Sequence, residues 1–100
     1  MRDYQDWRRA DITARIEALV KDSLEYRRTA ERAEEEAKDK LARGRWSSME
    51  ALAIRAACNT VQHELSQRQR VNLDEVQALQ VELAIRDSPE LVAQFGPGRD

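Results

Sequence analysis

His63 and Cys58 are the single histidine and the single cysteine of this 100-residue chain, so any nucleophilic or metal chemistry would have to start from them. Five positions apart on a helix, they fall on different faces, which argues against a nucleophile–base pair. A metal site needs several ligands within reach, and His63-Glu64 lacks the Glu-x-x-His spacing of helical di-iron sites. One cysteine leaves no internal disulfide and no cysteine-based zinc site. Glu34-Glu35-Glu36 is interleaved with Arg32, Lys38 and Lys40, the pattern of a solvated helix face. The stretch ARGRWSSMEAL, residues 42–52, looks most like a functional loop, but Ser47 has no histidine nearby to act as its base. There is no glycine-rich phosphate loop, since the three glycines are Gly44, Gly96 and Gly98. The expectation is a protein that is not an enzyme, with no cofactor and no metal.

Charge narrows the partners. The formal net charge is −2, which gives no general pull toward nucleic acid. Residues 1–44 hold eleven basic and eleven acidic side chains, residues 45–70 four and two, and residues 71–100 two and six. Arginine doublets occur at Arg8-Arg9, Arg27-Arg28, Arg43/Arg45 and Arg68/Arg70. Those on the first helix have acidic neighbours, and no continuous basic stripe results. A regulator that binds nucleic acid through these arginine clusters is one alternative function. A helical ligand- or metal-binding bundle is another. No run approaches the roughly 18 apolar residues of a membrane helix, and no apolar signal segment follows Met1, so a cytoplasmic protein without a membrane partner is expected. Fourteen arginines against three lysines, with fourteen alanines, suggest a bacterial or phage source.

The elements that must position these residues are helical. Ile12, Ile16, Leu19, Ser23, Tyr26, Ala30, Ala33 and Ala37 recur at alternating spacings of four and three, a coiled-coil seam on a helix spanning about 3–43. Val20, Leu24 and Leu41 widen it. Gly44 stands where a helix end favours a left-handed residue, and Ser47 with Glu50 forms a capping box. The loop is thus a bend between antiparallel helices rather than a site. A second helix over 48–67 carries Ile54, Cys58, Val61 and Leu65 on one stripe. Met49, Leu52 and Ala56 lie on a nearly opposite stripe, as in a sandwiched helix. Asn72 with Glu75, and Val71 with Val76, read as a cap and a hydrophobic staple starting a third helix over 73–87. Ser88-Pro89 starts a short fourth helix over 89–95, and Gly96-Pro97-Gly98 leads into a disordered tail over 96–100.

The expected fold is therefore all-α: a long helical hairpin with a third helix and a short C-terminal helix, in a single domain over 1–95. A first helix about 55 Å long outruns a second about 30 Å long. Ile12, Ile16 and Leu19 then need cover from the third helix, a second copy or a foreign protein. Self-association through these three residues, giving a dimeric helical bundle, is the expectation. On a straight helix Trp7 falls about 140° from the seam, beside Arg8 and near Tyr4. Those three residues make a candidate partner-binding patch, because tryptophan, tyrosine and arginine are favoured interface anchors. If instead the helix bends near Asp11, Trp7 folds onto the core. The expected function is a small non-catalytic protein-binding module: an adaptor, assembly factor or modulator of a protein of unknown identity.

Overall fold

The computed structural model describes residues 2–100, all helix, turn or coil, with no strand among them. Three helices follow in order: α1 Arg9–Arg43, α2 Ser48–Asp87 and α3 Pro89–Phe95. No helix is long and apolar enough to cross a membrane. The chain divides into two compact units, a hairpin unit of Ser23–Arg70 and a terminal unit of Met1–Asp22 with Val71–Asp100. Helices α1 and α2 each contribute to both.

The expected second and third helices are one. Helix α2 runs unbroken through Arg68–Asn72, where a corner was expected. Asn72 has cap chemistry, but an interior asparagine costs a helix only a few tenths of a kcal/mol more than its neighbours. No glycine or proline interrupts residues 48–87. Leu65, Asn72, Val76, Leu79 and Leu83 also keep one heptad-compatible spacing across the site of the expected break, so the apolar stripe needs no bend.

In the terminal unit, α2 covers the start of α1. Ile12 and Leu79 are fully enclosed, and Leu19 and Val76 are buried with them. Tyr4, Ile16 and Leu83 pack against this cluster. Ile12 and Leu19, expected with Ile16 to form a self-association surface, are buried within this unit, and Ile16 packs against them. Their cover is the chain's own second long helix, made continuous enough to reach them.

In the hairpin unit, the alanine half of the α1 seam faces the first half of α2. Ala37, Cys58 and Leu65 are buried. Gln62 Nε2 reaches the Ala30 carbonyl at 3.5 Å, and Gln69 Nε2 reaches the Ser23 carbonyl at 3.4 Å. The Ser23 hydroxyl is buried with no hydrogen-bond partner among the described residues. The connection is a bend, as expected. Ser47 Oγ accepts the Glu50 amide at 3.1 Å, an N-cap for α2. Gly44, however, does not adopt the left-handed conformation. It is needed for space, since a Cβ there would overlap the Trp46 indole. That indole donates Nε1–H to the Lys40 carbonyl at 2.9 Å, which also accepts the Gly44 amide at 3.3 Å. Lys40 Nζ lies 5.8 Å from the ring centroid, over its face.

Candidate protein-binding site

Helix α1 begins at Arg9, not near residue 3, and residues 3–7 form turns. The Trp7 amide donates to the Tyr4 carbonyl at 3.0 Å, and the Arg8 carbonyl accepts the amides of Asp11 and Ile12. The reason this segment is not helix lies on α2. Arg86 is only 4% exposed in its side chain. Its Nη2 donates to the carbonyls of Tyr4, Gln5 and Trp7 at 3.0, 3.2 and 2.7 Å. Its Nη1 donates to the Arg99 carbonyl at 2.6 Å, and its Nε to Glu82 Oε2 at 3.1 Å. One guanidinium thus ties both ends of the chain to α2, using carbonyls that a continuing helix would have kept for itself.

Glu82 is the counter-charge. It is 3% exposed and takes a bidentate pair from Arg2, whose Nε donates at 3.0 Å and Nη2 at 2.5 Å. The carboxyl is held below the ordinary range first by Arg2 and then by Arg86, against the opposing effect of burial. Arg2 Nη1 also donates to the carbonyls of Phe95 and Gly96 at the end of α3. Gly98 lets the tail pass, because a Cβ there would overlap the Arg86 guanidinium. The Arg99 amide donates to the Gln5 carbonyl at 3.0 Å. The tail over 96–100, expected to be disordered, is therefore bound to the N-terminal segment.

Within this clamp the three expected patch residues separate. Tyr4 is half-buried against Ile12, Leu19, Val76 and Leu79, and burial raises its hydroxyl pKa. It belongs to the core rather than to an open patch. Trp7 meets it edge to face, with centroids 5.1 Å apart and planes at 89°, and remains 37% exposed. Arg8 is exposed. Tyr4 thus supports a Trp7–Arg8 pair at the surface.

No family model, curated protein or solved structure matches this chain. The case for a site rests on its own geometry.

Elsewhere, apolar surface stays open. Met49 is 75% and Leu52 63% exposed, and Ala56 is exposed with them, so the second stripe of α2 is not sandwiched within its unit. A groove of about 250 Å³ in the hairpin unit is lined by Ala33, Ala37, Ile54, Ala57 and Val61. A groove of about 220 Å³ in the terminal unit runs between Tyr4 and the Ala78, Val81 and Ile85 side of α2.

Of the two reactive residues, one is buried and the other is exposed. Cys58 is buried, its thiol pKa raised first by burial and then by Glu34, which lies 3.6 Å from Sγ. Glu34 is held down by its pair with Arg55 and also accepts from Gln62 Nε2 at 3.1 Å. His63 is exposed, with Nε2 3.1 Å from Gln67 Nε2. Among the described residues no three His, Cys, Asp or Glu side chains gather as metal ligands would. Sequence reasoning missed Arg86, Glu82 and Arg2. The one local signal was the Glu82/Arg86 pair, four apart and beside the Leu79–Leu83 stripe, where a surface pair would not be buried.

Proposed function

We propose that the chain is a small non-catalytic protein-binding module, an adaptor, assembly factor or modulator, and that it binds through apolar surface its own fold leaves open. The observation that carries this reading is a ratio. Among the described residues seven apolar ones are buried, whereas eleven large ones are exposed. Met49, Leu52 and Ala56 share one open stripe of α2, and exposed apolar surface of this kind marks interaction sites. Trp7 and Arg8 add an anchor of the chemistry that interfaces favour, a wide rigid ring beside a charged rim. Because Arg86 takes the Trp7 carbonyl, the segment presenting this ring is fixed before any partner arrives, which lowers the entropic cost of binding.

The test is Trp7→Ala in the full chain, with melting temperature and retention of co-purified protein measured side by side. The expected result is a near-unchanged fold and a loss of about 2 kcal/mol of binding, about thirtyfold in affinity. If binding falls only as far as the folded fraction falls, Trp7 is a core residue and the anchor reading is wrong.

A further inference from the structure

We propose that the segment 96–100 regulates the Trp7–Arg8 anchor: docked, it holds the anchor in place, and whatever withdraws it releases the anchor. This regulation deepens the protein-binding reading and rests on it. Every residue involved belongs to the terminal unit.

The link is the Arg86 guanidinium, whose nitrogens face different groups. Nε donates to Glu82 Oε2, Nη1 to the Arg99 carbonyl, and Nη2 to the carbonyls of Tyr4, Gln5 and Trp7. The group is planar, so its donors turn together. Among the described residues, the Arg99 carbonyl is the acceptor that Nη1 has. Withdrawing it leaves an unpaired donor on a side chain only 4% exposed, and an unpaired buried donor is costly. Turning the guanidinium toward water relieves that cost, but the turn takes Nη2 from the carbonyls that fix residues 4–7. Direct bonds join the same two segments. The Arg99 amide donates to the Gln5 carbonyl at 3.0 Å, and Gln5 Nε2 to the Pro97 carbonyl at 3.1 Å. Arg2 Nη1 donates to the Gly96 carbonyl at 2.6 Å.

The segment is shaped for this passage. Gly96 stands at φ 90°, where a side chain is strained, and a Cβ there would come within 3.3 Å of Gln5 Nε2. At Gly98 a Cβ would overlap the Arg86 guanidinium. The two glycines thus fit the segment to the two side chains it crosses, one before α1 and one on α2.

Its hold is polar, which makes it releasable. Pro97, Arg99 and Asp100 are exposed, and a cavity of about 190 Å³ lies among Arg9, Val92, Pro97, Gly98 and Asp100. Segments with few buried apolar contacts open at low cost. The anchor segment is little better secured. Asp3, Asp6, Trp7 and Arg8 are exposed, and Tyr4 is the residue that packs on the apolar cluster. Ile12 and Leu79, by contrast, are fully enclosed, so both segments can leave without unfolding α1 or α2. The coupling is reciprocal. A partner gripping Trp7 and Arg8 tightens the segment 96–100, and a protein that captures that segment weakens the grip on Trp7.

The experiment is amide hydrogen exchange on the full chain, with Gly96→Val and Gly98→Val as separate variants. Gly96→Val pushes the segment off Gln5 and leaves Arg86 alone, whereas Gly98→Val presses on the guanidinium itself. In both, the Arg99 amide should lose its protection. The Trp7 amide, bonded to the Tyr4 carbonyl at 3.0 Å, should exchange about tenfold faster or more. Amides around Ile12 and Leu79 should keep the parent rate. Retained protection at Arg99 in both variants would overturn the proposed fit. Loss at Arg99 with an unchanged Trp7 amide would make the two segments independent and overturn the coupling. Release of Trp7 by Gly98→Val alone would trace the effect to Arg86 and overturn it too, as would faster exchange throughout α1 and α2. Co-purified protein separates the two readings. Full retention by Gly96→Val beside loss by Trp7→Ala would overturn the regulation and leave the protein-binding reading standing. Full retention by folded Trp7→Ala would remove the anchor reading, and the regulation with it.

Discussion

Replacing Arg86 with alanine should cost this protein more than any other single truncation of a charged side chain. The guanidinium is 4% exposed. It serves the carbonyls of Tyr4, Gln5, Trp7 and Arg99 together with the Glu82 carboxylate. Hydrogen bonds to charged groups contribute about 1.5–3 kcal/mol each, so a simple sum would exceed the total for breaking a buried ion pair. That sum overcounts, because Arg2 still holds Glu82 and water can enter the vacated space. The applicable figure is the loss on removing one partner of a buried pair, about 3–5 kcal/mol. Domains of this size are stable by about 5–15 kcal/mol in all. At about 4–8 °C per kcal/mol, the melting temperature should fall by about 12 °C or more. Urea unfolding followed by circular dichroism measures the loss, and hydrogen exchange over residues 2–8 shows whether the N-terminal segment is released first. Arg9→Ala is the control. It breaks the pair with Asp87 at 2.6 Å, but both partners are exposed, and exposed pairs contribute little. If Arg86→Ala costs less than about 1 kcal/mol and the segment stays protected, the clamp is not what orders the chain ends.

Ser23→Ala should raise stability by about 1 kcal/mol in urea titration, because the buried Ser23 hydroxyl has no partner among the described residues and an unsatisfied buried group is costly. A lower urea midpoint would mean the hydroxyl is bonded in solution. Gly44→Ala should push out the Trp46 indole and sever its bond to the Lys40 carbonyl, costing about 1 kcal/mol. In a Trp7→Phe background it should shift the remaining tryptophan fluorescence to the red. The Glu82 carboxyl is held below its unfolded value by Arg2 and Arg86. Its stabilisation is therefore complete above about pH 4.3, the unfolded pKa, and is lost as pH falls through the lower folded value. Glu82→Gln should be less stable than the parent at neutral pH, and the gap should narrow in acid. A constant gap from neutral pH down to about pH 2 would contradict this linkage.

What the sequence determined by itself was every feature governed by neighbours three or four residues apart. The seam from Ile12 to Ala37 specified α1. The Ser47 cap and the Ser88-Pro89 start are found as read, with Ser88 Oγ accepting the Leu91 amide at 3.4 Å. Gly96 ends α3 at φ 90°. The same local signals misread Asn72, because cap and staple chemistry describe only what a residue can do for its own turn. They omit the enclosure of Val76 and Leu79 against Ile12 and Leu19, which an unbroken α2 makes possible. The unbroken spacing from Leu65 through Asn72 to Leu83 did carry the correct answer, and it outweighs a cap because several buried side chains depend on it. The N-terminal turns, the bound tail and the support under Trp7 lay outside any local pattern. They depend on Arg86 meeting carbonyls about eighty residues away in the chain. Only the tertiary fold brings those groups to one place, and only burial there turns an ordinary glutamate–arginine pair into the clamp that holds both ends.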